Sequence, residues 1–101
     1  MGTGNDILGE KLLRVFLREL SQSDQHVDIV GCVNSAVELT THPGEALEYL
    51  QALESKGSRI VSCGTCLDFH GLRDQLLIGD VGDMTGTVQL MATAERVIRP
   101  C

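Results

Sequence analysis

Apolar residues recur along this chain with a helical period in some stretches and as short continuous runs in others, and the alternation marks out its elements. Leu8, Leu12, Phe16 and Leu20 repeat at helical spacing, with Leu13 and Leu17 alongside, so a first helix carries one apolar stripe that should pack on a sheet. Asp6 is expected to be its N-cap, with Glu10 and Arg14 as an i,i+4 pair on the opposite side. Beyond the polar loop Ser21 to Gln25, Val27 to Val33 is β-branched and apolar on both faces, the pattern of a buried strand. Cys32 inside that run reads as a small core residue. Asn34-Ser35 then follows the strand end, where either side-chain oxygen can cap a helical turn over Ala36 to Leu39.

The breaker His42-Pro43-Gly44 opens a second helix, Glu45 to Lys56, with Ala46, Leu47, Leu50 and Leu53 inward and Gly57 closing it. Glu45, Glu48 and Glu54 read as its solvated face. A strand over Arg59 to Ser62 runs directly into Cys63-Gly64-Thr65-Cys66, and a short helix, Leu67 to His70, ends at Gly71. Leu76-Leu77-Ile78 predicts a further short strand or apolar segment, with Gly79 to Asp83 a turn-rich loop. Asp83 caps another helix with Met84, Val88, Met91 and Ala92 inward, Glu95 to Arg99 predicts a final strand, and Pro100-Cys101 is a frayed tail. Helices alternating with strands across crossover-sized connections predict an α/β domain with a mostly parallel sheet and helices on both faces.

Composition narrows the picture. At 101 residues the chain fits a single small domain, 1–101, and with 3% aromatic residues its core must be Leu, Val, Ile and Ala. Fourteen acidic against eight basic residues leave a net charge of −6, with no cationic run that would follow a phosphate backbone, so nucleic acid is not an expected partner. No apolar run approaches the roughly 20 residues of a membrane span, and Asn5, Asp6, Glu10 and Lys11 interrupt any leader pattern, so a cytoplasmic protein away from membranes is expected. Four cysteines with only two close together make a poor disulfide framework; such a pair is more often redox-active or metal-binding.

The chemistry therefore centres on Cys63 and Cys66. Strand ends in parallel sheets are where ligands bind, and a helix start favours the thiolate that attacks sulfur or selenium. A two-residue spacer brings the two sulfurs within exchange distance, Cys66 being expected as the more acidic and Cys63 as the less accessible. His70, four residues after Cys66, is a weaker candidate for tuning the thiol or moving a proton, against a plain solvated or core histidine. Gly64 and Thr65 in the turn, and Asn34 and Ser35 at the neighbouring strand end, are candidates for substrate binding.

Other readings use the same residues. A metal module built on Cys63, Cys66 and His70 would need Cys32 or Cys101 to converge on them, and no metal site is assigned. A thioredoxin-like oxidoreductase lacks the tryptophan before the motif and a proline placed for the facing loop, since the only prolines are Pro43 and Pro100. A non-catalytic α/β binding or assembly subunit with incidental cysteines stands as the plainest alternative. No Ser/His/Asp arrangement, phosphate loop or dinucleotide fingerprint is present, so no cofactor is expected.

Cys63-Gly64-Thr65-Cys66-Leu67-Asp68-Phe69-His70-Gly71-Leu72, with Asn34-Ser35-Ala36-Val37 and Asp83-Met84, resembles the DsrE-like domain of the YedF type over nearly the whole chain. That resemblance implies a flavodoxin-like fold, sulfur relay or selenium metabolism, sulfurtransferase-like chemistry if any, sulfur or selenium donor and acceptor proteins as partners, and homo-oligomers. Two departures stand out. Nothing here corresponds to the upstream TusA-like domain with its Cys-Pro-x-Pro motif, and the strand that precedes the Met-Gly-x-Gly segment of such domains is missing before Met1-Gly2-Thr3-Gly4. The expected reason is that an internal methionine stands as the start; the alternatives are that the neighbouring strands close up or that a partner chain supplies the edge.

Overall fold

The computed structural model of the protein describes residues 4–100. Three strands, β1 (Ile29–Cys32), β2 (Arg59–Cys63) and β3 (Asp80–Gly82), form a sheet of order β1-β2-β3 in which both pairings are parallel. With the helices α1 (Asp6–Gln22), α2 (Glu45–Ser55), α3 (Gly64–Phe69) and α4 (Met84–Thr93), this is a small α/β domain consistent with a flavodoxin-like fold. Two 3-10 helices, Asn34–Thr40 and Arg73–Gln75, complete the connections.

The main core forms where α1 and α2 lie over one sheet face. Leu17 of α1, Ala46, Leu47, Leu50 and Leu53 of α2, Ile60 of β2 and Ile78 pack together, with Leu13, Leu20, Val30, Leu39 and Tyr49 against them. The α2 expectation holds but for its last residue, Lys56, which is the C-cap, and Gly57 follows it. The α1 stripe is rotated. Its buried line runs through Gly9, Leu13, Leu17 and Leu20 to Ser21, leaving Leu8 and Leu12 exposed, because α1 packs chiefly along α2. Its cap is Asn5, whose Oδ1 accepts Leu8 N at 2.9 Å, in place of Asp6. The expected Glu10–Arg14 ion pair does not form. Lys56 Nζ instead ties the two helices by donating to the carbonyls of Ser21 (3.2 Å) and Ser23 (2.7 Å).

Three expectations about the second half are corrected. Of the two readings of Leu76 to Ile78, the apolar segment holds and the strand does not: it is a strap in which Leu77 N donates to Thr40 O at 2.8 Å, the Leu77 side chain is exposed and Ile78 enters the core. The third strand lies just beyond it, in the predicted loop, where Asp80, Val81 and Gly82 pair with Val61, Ser62 and Cys63. Glu95 to Arg99 forms no strand; the segment pairs with no strand of the sheet, and Val97 and Ile98 are exposed. The α4 helix begins as expected, with Asp83 Oδ1 accepting Gly86 N at 2.7 Å, but it buries none of its residues, so Met84, Val88 and Met91 face outward.

A second, smaller cluster of Val37, Leu67 and Leu72 joins the first 3-10 helix to α3, with Cys66 packed against it. Between the two clusters, buried Thr40 and Ser62 share a hydrogen bond of 2.7 Å, and no buried side-chain polar atom among the described residues lacks a partner. Leu67 is wholly buried and α3 has only six residues, so this contact holds the helix in place. Leu67→Ala is expected to destabilise the fold by about 3 kcal/mol in urea titration. A loss under about 1 kcal/mol would show that the cluster does not anchor α3.

Candidate functional site

The second strand ends at Cys63 and α3 starts at the next residue, three positions earlier than the pattern predicts, so Cys63 is the N-cap of α3 and Cys66 lies in its first turn. Such a direct passage needs Gly64. A Cβ there would stand 2.8 Å from Arg73 Nη2, 3.0 Å from Val81 Cγ1 and 3.2 Å from Gly82 O, so the turn sits against the third strand with no room for a side chain. The same Arg73 guanidinium clamps the helix, its Nε and Nη2 donating to Asp68 Oδ1 and Oδ2 at 2.6 and 2.8 Å. The arginine holds the Asp68 carboxyl below its ordinary pKa.

Asn34 reaches the same place from β1. It opens the first 3-10 helix in a left-handed conformation, φ 55°, and its backbone N–H donates to Cys66 Sγ at 3.1 Å across 32 positions of sequence. Neither Asn34 nor Ser35 caps that helix through its side chain, in contrast to the expectation; Val33 is its cap residue. Asn34, Thr65, Cys66 and His70, together with Phe69, line an open cleft of about 260 Å³.

The predicted site residues thus divide. Asn34, Thr65, Cys66 and His70 meet at the cleft; Gly64 is buried beneath the turn; Ser35 is exposed on the 3-10 helix and does not line the cleft. His70 is the C-cap of α3, its backbone N–H donating to Cys66 O at 3.1 Å. Phe69 is a cleft residue that the sequence pattern does not single out. It is 85% exposed and meets the His70 ring edge-on, centroids 5.2 Å apart. The available signal is its place three residues after Cys66, hence on the neighbouring part of the helix surface.

The order of thiol acidity is the reverse of that expected. Cys63, at the cap position, lies against the backbone N–H of Cys66, which holds its pKa below the ordinary thiol range; partial burial opposes this, and the Cys66 thiol and the Thr65 N–H add to it. Cys66 is raised, first because it donates its S–H to Cys63; the Asn34 N–H offsets part of that rise. One thiolate is therefore favoured at Cys63 with the proton held at Cys66, the two groups titrating as a pair.

Cys63 and Cys66 form no disulfide, and Cys32 is buried in β1 as the sequence predicts. No group of three or more His, Cys, Asp or Glu side chains suited to a metal ion occurs among the described residues, and Cys101 lies outside them. No helix among the described residues is long and apolar enough to cross a membrane.

The model of the DsrE/DsrF-like family matches residues 40–100, a span that contains Cys63, Cys66 and His70 and stops short of Asn34. No curated protein and no solved structure matches the chain.

Proposed function

Because this chain belongs to the DsrE/DsrF-like family, which is associated with sulfur relay, we propose that it is a sulfur or selenium carrier using Cys63 and Cys66, with sulfurtransferase-like exchange as its chemistry. The observation that carries this reading is the placement of the two thiols: Cys63 caps the start of α3, where backbone N–H groups favour its thiolate, while Cys66 in the first turn accepts the Asn34 N–H and opens on the cleft.

In the loading step, Cys63 thiolate attacks the outer sulfur of a donor persulfide, R–S–SH. The donor S–S bond breaks, RS⁻ leaves, and Cys63 becomes the persulfide. Delivery is the same exchange run onto an acceptor thiolate, which restores Cys63 thiolate. Where no acceptor arrives, Cys66 thiolate attacks the inner sulfur of the Cys63 persulfide, forming the Cys63–Cys66 disulfide and releasing HS⁻. A donor R–S–SeH loads selenium by the same first step. Asn34 N–H steadies the Cys66 sulfur, and His70, on the cleft wall, is placed to accept or return the proton of an incoming thiol.

The same proposal assigns the chain to the YedF type, working in the cytoplasm between donor and acceptor proteins and assembling as a homo-oligomer. Support for assembly comes from α4, which carries no charged residue and turns Met84, Val88 and Met91 outward. The test is intact-mass spectrometry after incubation with a persulfide or selenosulfide donor, on wild type, Cys63→Ser and Cys66→Ser. A gain of one sulfur or selenium atom in the wild type that is absent from one variant supports the carrier; equal labelling of all three proteins overturns it.

A further inference from the structure

We propose that the groove between α1 and α2 is a binding site for a small organic anion, one bearing a carboxylate or phosphate head and a nearby amine or hydroxyl. The groove, about 260 Å³, is lined by Lys11, Arg14, Val15 and Arg18 of α1 and by Glu45 and Tyr49 of α2, and shares no residue with the thiol cleft.

Four features point to an anion. The chain has only eight basic residues against fourteen acidic ones, yet three of the eight stand on one stripe of α1 at positions i, i+3 and i+7. Lys11 and Arg14 have no carboxylate partner among the described residues, Glu10 lying too far from Arg14 to pair with it. Arg18 meets only Glu19, at 3.2 Å, with the Arg18 side chain about half exposed and that of Glu19 mostly so, and a surface pair of this kind is readily exchanged for a better one. Arg14 and Arg18 stand one helical turn apart and present two planar donor forks, the geometry that grips carboxylate or phosphate oxygens in pairs.

The rest of the groove sets what the anion is attached to. Tyr49 is half-buried against the main core, so its ring is a fixed wall, and Val15 adds apolar surface beside it. A bare inorganic ion leaves that surface unused. Glu45 opposes a second negative group at the α2 side and accepts a hydrogen bond from an amine or hydroxyl there. A zwitterion or a hydroxylated phosphate matches this order of charges; a run of carboxylates does not.

Calorimetric titration of the whole chain tests the site with four probes: serine, O-phosphoserine, inorganic phosphate and a hexaglutamate peptide. Serine and O-phosphoserine separate a carboxylate head from a phosphate one. We expect saturable binding of at least one of these two, weakened about tenfold or more in Arg14→Gln/Arg18→Gln and unchanged in Arg59→Gln, whose side chain is on the sheet. Both arginines are on the helix surface, and thermal melting checks that the double variant stays folded. Absence of saturable binding by serine and O-phosphoserine, or equal binding by the folded double variant, overturns the proposal. So does binding of hexaglutamate alone, which makes the groove a docking surface for an acidic protein segment, and so does inorganic phosphate binding as tightly as O-phosphoserine.

Discussion

Gly79→Ala is expected to destabilise the fold severely. Gly79 has φ 73°, and a Cβ built on it runs into Ile60 O, with Ile60 C at 2.8 Å and Ile60 Cβ at 2.9 Å. The left-handed backbone alone costs an alanine about 1 kcal/mol. The overlap costs more, because the obstructing atoms are the main chain of β2, which cannot swing aside as a flexible side chain would. Ile60 is 1% exposed at the middle of the main core, and Ile78 of the strap is locked into the same cluster. Relief of the contact must therefore pull the strap from the core or bend β2 out of its ladders with both neighbours. The expected cost exceeds about 4 kcal/mol, a large share of the stability of a domain this size. Gly71→Ala is the matched control: φ is 67° there, but nothing lies within 4 Å of the added carbon, so only about 1 kcal/mol should be lost. Urea titrations of the two variants should differ widely, and similar midpoints would contradict this role for the strap.

Gly79 also shows where the sequence ceases to be informative. The apolar run Leu76-Leu77-Ile78 reads equally as a strand or as a non-strand apolar segment, because both are short apolar runs and periodicity cannot separate them. The actual strand, Asp80-Val81-Gly82, has no alternation to read; its pairing rests on Gly79 and Gly82 allowing close approach to Ile60 and Val61. Helical stripes pose a similar ambiguity in α1, where Leu8-Leu12-Phe16 and Leu13-Leu17-Leu20 are adjacent and equally apolar. Burial of Gly9 and Ser21 decides between them, and that depends on α2 being alongside. By contrast α2, with one unambiguous stripe and its closing glycine, is legible but for its last residue.

The candidate site is legible because of a topological rule and not because of local pattern. Ends of parallel strands lie side by side, which makes Asn34 after β1 a candidate for the same crevice as the thiols after β2; in the structure its backbone N–H lies 3.1 Å from Cys66 Sγ. The acidity order is not legible. It depends on α3 starting at Gly64 instead of Leu67, which makes Cys63 the cap and puts the Cys66 N–H over its sulfur. Three residues of helix boundary, the feature that a sequence pattern defines least, thus decide which thiol ionises first.

Removal of either cysteine should therefore have opposite effects on the one that remains. In Cys63→Ala, Cys66 loses the acceptor responsible for most of its raised pKa and keeps the Asn34 N–H, so its pKa should fall from the wild-type position. In Cys66→Ala, Cys63 keeps the backbone N–H groups of positions 66 and 65 but loses the thiol donor, so its pKa should rise while staying helped by the backbone. Alkylation by iodoacetamide followed against pH, with the label mapped by peptide mass, reads both directions, since the rate follows the thiolate fraction. In the wild type, Cys63 should react at lower pH than an ordinary thiol and Cys66 only at higher pH. The same order predicts the outcome of sulfur loading. Cys63→Ser should lose nearly all uptake from a persulfide donor at neutral pH, because the thiolate that makes the S–S bond is gone. Cys66→Ser should still load, and should hold its persulfide longer than the wild type, because no second thiol is left to attack the inner sulfur and expel HS⁻. Uptake lost in Cys66→Ser and kept in Cys63→Ser would reverse the two roles, and a Cys63 that alkylates only above the ordinary thiol range would remove the basis for assigning it the first step.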